Sequence, residues 1–194
     1  MKNALLLSFL VTITTFSNAQ VPIIDYGFLV DDPDVAVNNV LVQPDGKILV
    51  GGYFPNYAGS GHDHLVRLNN DGTIDPTFNP NGTGPGNAVE DMVLMPDGRI
   101  LIAGNFLTYN GSNSFFIARL QADGTLDNTF TVQPNSINGA VWAIELHDNH
   151  KVLAGGEFFI CSGESRPHIV QFNDNGSVDS TFVVGTGFDH NVHD

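Results

Sequence analysis

Short apolar runs separated by polar turns fill most of the chain. In the segment Val37 to Phe78 there are four such runs, each about four to seven residues long: Val37–Val42, Ile48–Phe54, Leu65–Leu68 and Ile74–Phe78. That is strand length, too short for helices. Val, Ile and Phe dominate the runs, and beyond residue 20 no stretch keeps an i, i+3, i+4 apolar spacing. Pro44-Asp45-Gly46 separates the first and second runs, and Asn70-Asp71-Gly72 the third and fourth. Gly supplies the positive φ of a tight hairpin and Asp or Asn tolerates it, so both are read as hairpin turns. A longer loop, Pro55 to Asp63, joins runs two and three, and Asn79 to Ala88 leads on to the next unit. The predicted unit is a four-stranded antiparallel meander, A-B-C-D.

The unit is written three times, with copies 52 residues apart. Lys47, Arg99 and Lys151 fall at that spacing, as do Gly52, Gly104 and Gly156, Asp75, Asp127 and Asp179, and Phe78, Phe130 and Phe182. Four strands per unit and a period near 50 residues predict a β-propeller, each blade burying its apolar faces against its neighbours. The repeats span 37–88, 89–140 and 141–182. The third departs from the pattern: His147-Asp148-Asn149-His150 replaces Pro-Asp-Gly, and Gln171 stands where the others have Arg67 and Arg119. Residues 20–36 hold a fourth-strand echo, Asp25-Tyr26-Gly27-Phe28, and 183–194 read as the start of another repeat. The expected fold is therefore all-β: about three blades plus partial flanking strands, an incomplete ring needing further blades of its own chain.

The segments Gln43 to Gly52 and Leu65 to Phe78 (QPDGKILVGG and LVRLNNDGTIDPTF) resemble the delta-60 type of bacterial β-propeller repeat. The resemblance covers roughly residues 25 to 194. It implies tandem blades, a secreted or surface location, and no assigned chemistry.

Residues 1–19 read as a secretory signal peptide. Lys2 forms a basic start, Ala4 to Val11 an apolar stretch, and Ser17-Asn18-Ala19 a cleavage site. The apolar stretch is shorter than the ~20 residues of a membrane span. Without Lys2 the chain has six basic against 21 acidic residues. That balance repels phosphate backbones and disfavours nucleic-acid partners. The single cysteine, Cys161, leaves an exported chain with no internal disulfide and is read as a small part-buried residue.

Candidate chemistry divides into what repeats and what does not. The Asp-x-Thr-Phe ending occurs in every copy, so it is read as scaffold, its acid and hydroxyl bonding to backbone at a strand end. The Asp-Gly turns fail as calcium loops because Arg67 sits where a first ligand would be. Calcium held by acidic loops of several blades stays open; no other cofactor is expected. The non-repeated residues are the candidate ligand site: Tyr57, His62, His64, Glu90, Tyr109, Trp142 and His168. Five histidines (62, 64, 168, 190 and 193) belong to B–C and D–A connections, which emerge on one face of such a meander. Tyr57 and Tyr109, with Asn56 and Asn110, are residue types that stack on and hydrogen-bond sugars or peptides. Asn38, Glu90, Trp142 and His193 share one repeat position, expected near the mouth of the central channel. Nucleophile elbows, zincin motifs and phosphate loops are absent from the sequence. The leading expectation is a secreted or cell-surface scaffold that binds a glycan or protein without catalysis. Two alternatives stay open: part of an extracellular polysaccharide lyase or hydrolase, and a structural array in an adhesin.

Overall fold

The computed structural model describes residues 36–134, 136–147 and 150–193. The expected signal peptide, the Asp25–Phe28 strand, and Asp148 and Asn149 of the third A–B turn lie outside the described residues. Three sheets repeat down the chain. Blade 1 pairs β1 (Ala36–Val42), β2 (Ile48–Tyr53) and β3 (Leu65–Leu68). Blade 2 pairs β4 (Val89–Leu94) and β5 (Ile100–Gly104) with β8 (Ile117–Leu120). Blade 3 pairs β9 (Val141–His147) and β10 (Lys151–Gly156) with β13 (Ile169–Phe172). All pairings are antiparallel, as the meander predicts. The fourth strand is shorter than expected: each blade retains it as one bridge, Leu68 to Ile74, Leu120 to Leu126 and Phe172 to Val178. Among the described residues no helix is long and apolar enough to cross a membrane.

The period-2 alternation decides which neighbour each residue meets. In β5, Ile100 and Ile102 join Leu49, Leu65 and Phe78 of blade 1 in one core. Leu101 and Ala103 point the other way, into a second core with Val141, Ile144 and Val152 of blade 3. A strand buried on both faces must be apolar throughout, hence the run Ile-Leu-Ile-Ala-Gly.

The A–B and C–D turns form as expected. Gly46 and Gly98 take positive φ, and their N–H groups donate to Gln43 and Met95 carbonyls at 2.9 Å. At the repeat position of Gly46 and Gly98, His150 also takes a positive φ (60°). Two B–C connections, expected as plain loops, fold into short hairpins. Thr108–Tyr109 (β6) pairs with Ser112–Asn113 (β7), and Ile160–Cys161 (β11) with Glu164–Ser165 (β12). Asn110-Gly111 and Ser162-Gly163 supply the two positive-φ residues such tight hairpins require. Blade 1 has a single 3-10 turn there, Tyr57–Gly59.

The second glycine of each Gly-Gly pair shapes the inner strand. A Cβ on Gly52, Gly104 or Gly156 would lie 2.1 Å from the carbonyl oxygen of Ala36, Ala88 or Ala140. This close approach accompanies a bulge: the pairing skips Asn38 in β1, Glu90 in β4 and Trp142 in β9. A bulge re-aims the extra residue's side chain, so a scaffold glycine sets the direction of a position that differs in every blade.

Candidate functional site

The bulge residues reach from blade to blade. The Asn38 side-chain amide donates to Glu90 Oε2 at 2.7 Å and to the Val89 carbonyl at 3.1 Å. Trp142 stacks on His193, with ring centroids 4.1 Å apart and planes at 25°. Burial raises the Glu90 carboxyl above its ordinary pKa. One position further, Asp91 is buried and joins three blades. It accepts from the Asn39 side chain (2.8 Å), its neighbour Met92 N–H (2.7 Å) and Ile144 N–H of blade 3 (2.8 Å). Sequence reasoning missed Asp91. Its signal is an Asp at the repeat position that holds Asn39 in blade 1 and Ala143 in blade 3.

His168, His190 and His193 line one open cavity of about 400 Å3 with Phe159, Asp189 and Asn191. It is built from the blade 3 B–C loop and the connection that follows blade 3. His168 is fully buried; its Nδ1 lies 2.9 Å from the Gly156 carbonyl oxygen, and its ring meets Phe159 edge-on at 4.4 Å. Its Nε2 is buried with no hydrogen-bond partner among the described residues. Asp189 and His190 pair at 3.1 Å on the cavity wall. Among the described residues no three His, Cys, Asp or Glu side chains are grouped so as to hold a metal ion.

The remaining candidates lie elsewhere. Tyr109 is fully buried, its hydroxyl donating to the Gly124 carbonyl at 2.6 Å, and burial raises its pKa. The expectation that Tyr109 offers its ring to a ligand is corrected: the β6–β7 hairpin alternates, and Tyr109 is on its inner side. Asn110 is likewise engaged, trading amide hydrogen bonds with Asn79 (3.1 and 2.7 Å) and accepting from Gly84 N–H at 2.8 Å. Cys161, at the equivalent position in blade 3, is also buried, which pushes its thiol up to about 11. Tyr57 packs edge-on against Phe54 at 5.9 Å, and His62 is buried in the blade 1 loop.

His64 and His168 are not the repeat-breakers they resemble. With Phe116 they share one left-handed position (φ 61°, 66° and 66°), where bulky residues are uncommon. At each, the N–H donates to the carbonyl of Phe54, Phe106 or Phe158, and the carbonyl accepts from Gly52, Gly104 or Gly156. The His64 ring also stacks on Tyr53 at 5.4 Å.

The repeated polar residues form a framework distinct from the cavity. Asp75 Oδ1 accepts from Thr77 N–H (3.0 Å) and hydroxyl (2.6 Å), while Oδ2 accepts from Lys47 (2.7 Å) and Arg67 (2.8 Å). Burial opposes ionisation of Asp75, but these donors outweigh it and hold the carboxyl well below the usual range. Arg67 also donates to the Ala122 carbonyl of blade 2 and lies over Phe78. The Asp-x-Thr-Phe ending is thus a strand-end cap and inter-blade clamp. The C–D turns are self-contained too: Asp71 Oδ1 accepts from Thr73 N–H and hydroxyl at 3.0 and 2.6 Å.

No curated protein matches the chain. A family match covers residues 43–78, 96–130 and 150–182, together more than half of it, in the three repeats described above. The chain belongs to the β-propeller family described as a domain of unknown function, DUF5122.

Proposed function

We propose that this propeller is a secreted or cell-surface binding scaffold of the delta-60 type, and that its ligand is a glycan. The observation that carries the reading is the cavity beside blade 3. Its volume of about 400 Å3 lies within the ~300–1,000 Å3 of small-molecule sites. Its wall combines aromatic rings, Phe159 and His193 with Trp142 stacked behind, and the polar groups of Asp189 and Asn191. Rings that cover the C–H face of a sugar, beside an amide and a carboxylate that take its hydroxyls, are the chemistry such a ligand needs. The cavity is made by connections, on a scaffold whose own polar residues are tied up in the framework.

Trp142 is the only tryptophan, so its fluorescence reports on this site alone. Titration with a panel of neutral and acidic oligosaccharides is expected to shift or quench it saturably, and His193→Ala and Phe159→Ala should each weaken that response about tenfold or more. A flat response to every oligosaccharide, with no retention on a glycan array, would remove the glycan reading. Appearance of new reducing ends or unsaturated products in the same mixtures would replace binding with catalysis.

A further inference from the structure

The connection that follows blade 3 is seated on that blade, and with it closes the cavity. A Cβ on Gly155 would come within 2.5 Å of Val192, much as one on Gly51 would come within 2.8 Å of Val89 at the first inter-blade contact. Val192 N–H donates to the Gly156 carbonyl and Phe188 N–H to the Pro167 carbonyl, both at 3.4 Å. The cavity is therefore walled from two sides, by Phe159 and His168 of the blade 3 loop and by Asp189, His190, Asn191 and His193 of the connection.

Hydrogen bonds inside the wall fix what it offers to a ligand. The Gly156 carbonyl can only accept, so His168 Nδ1, 2.9 Å away, carries the hydrogen of the neutral ring. Nε2 is then a bare acceptor, buried without a partner among the described residues. A ligand donor that reaches it recovers the free energy lost by leaving a buried acceptor unmade. His190 is fixed in the same way: the Asp189 carboxylate accepts from its Nδ1 at 3.1 Å and leaves its Nε2 as an acceptor. Asp189 itself can only accept, so Asp189, His168 and His190 all turn acceptors to the cavity. The charge around it has the same sense. Among the described residues no Lys or Arg lines the cavity. Five of the six described Lys and Arg side chains are salt-bridged in the framework, and the sixth, Arg166, donates to the Phe182 carbonyl. With a formal net charge of −14, the chain draws cations towards such a cleft.

We propose that the glycan taken by this cavity is an amino sugar with a free ammonium group. The inference rests on the glycan reading above and names the class of sugar. An ammonium has donors and no acceptor, the complement of a wall made of acceptors. It donates to the Asp189 carboxylate at the rim and to the imidazole nitrogens further in. The stacked rings of Trp142 and His193 lie beside it, and a cation against an indole face gains a cation–π attraction. A uronic acid would set a carboxylate against Asp189 and acceptors against acceptors. An N-acetylated sugar keeps the faces that cover the rings but loses the charge and all but one N–H. A metal ion also seeks acceptors, but among the described residues no three His, Cys, Asp or Glu side chains are grouped to hold one.

Three oligosaccharide series of equal length test it, followed by Trp142 fluorescence at pH 7: glucosamine oligomers with free amines, the same oligomers N-acetylated, and uronic-acid oligomers. The free-amine series is expected to bind about fivefold tighter than the N-acetylated one, and the uronic series weakest. Raising the salt from ~10 mM to ~1 M, which shortens the screening length about tenfold, should close most of that gap. Asp189→Asn, at a side chain 95% exposed, keeps an oxygen for His190 and should reduce the free-amine preference about threefold without changing the N-acetylated affinity. N-acetylated or uronic oligomers that bind as tightly as the free amines at low salt overturn the proposal while leaving the glycan reading in place. So does an Asp189→Asn variant that keeps the full preference. A flat response to all three series removes the glycan reading and this inference with it.

Discussion

Blade 2 and blade 3 carry the same Asp-x-Thr-Phe ending, and among the described residues that of blade 2 is locked to a following blade by an arginine that blade 3 lacks. In blade 2, Arg119 is buried and donates to four groups. Its Nε meets Asp127 at 2.7 Å, one terminal nitrogen meets Thr129 at 2.9 Å, and the other meets the carbonyl and side chain of Asp174 in blade 3. Its guanidinium also lies 5.1 Å from the centre of the Phe130 ring. In blade 3 the corresponding Gln171 turns instead to His147, 3.2 Å away, and Asp179 is left with Lys151 and Thr181. The cap within the blade, acid to Thr N–H and hydroxyl, is the same in both. The repeat therefore holds two separable devices: a local cap that each blade makes alone, and a guanidinium clamp to the next C–D turn, made in the two blades that carry the arginine.

Breaking the acid in each blade sharpens that distinction most. Asp127→Ala would leave the buried Arg119 with only the half-exposed Asp174 carboxylate, a loss of up to about 3–5 kcal/mol, the cost of a broken buried pair. Asp179→Ala removes a carboxylate whose cation, Lys151, is 30% exposed, and should cost clearly less. Urea unfolding of both variants measures the difference in midpoint at constant slope. Equal losses would mean that the local cap, and not the clamp, carries the stability.

Tyr109 tests a second difference between the same blades, at a position that holds Cys161 in blade 3. Tyr109→Phe keeps the buried ring but deprives the Gly124 carbonyl of its donor, at an expected cost of about 1 kcal/mol. An unchanged midpoint would show that the hydroxyl is incidental and that ring packing alone fixes the hairpin.

Most of the fold is legible in the repeat itself. The 52-residue spacing of Gly52, Asp75 and Phe78 places every blade, and the Asp-Gly turns fall where expected because their chemistry is local. The site is less legible, because contacts between blades leave no local mark. Asn110-Gly111 is a hairpin signal, but its role in turning Tyr109 inward depends on pairing with neighbouring residues. The bulge that aims Glu90 and Trp142 follows from a clash between a Cβ at Gly104 or Gly156 and a carbonyl on the facing strand, which only three-dimensional pairing reveals. Asp91 is hidden for the same reason, since two of its three donors belong to other blades. His64 and His168 look exceptional only because Phe116 stands between them; the shared property is a backbone angle, which side-chain identity does not spell.

That shared angle yields the smallest effect and a direct check. His64 can be exchanged for the residue blade 2 uses, because Phe116 already takes the same left-handed conformation (φ 66°) with the same backbone partners. Burial holds the His64 ring below its ordinary pKa, against the opposing pull of Asp63 and the Gly52 backbone. Its Nδ1 accepts the Phe54 N–H at 3.2 Å, which a protonated nitrogen cannot do. The folded state therefore favours the neutral ring, while the unfolded chain takes up a proton near pH ~6.5. Below that value the unfolded state binds more protons, so this contribution is whole above pH ~6.5 and is lost as pH falls through the folded value. The framework acids act in a separate, lower window. Asp75, Asp127 and Asp179 are all held low, Asp179 at about 2, so their contribution is present above pH ~3.9 and disappears only in stronger acid. His64→Phe should therefore flatten the stability profile between pH 7 and 5 and leave the steeper acid limb where it was. If the variant's profile superimposes on the parent's across pH 7 to 5, the position-64 side chain is only a filler of the left-handed turn, in blade 1 as in blade 2.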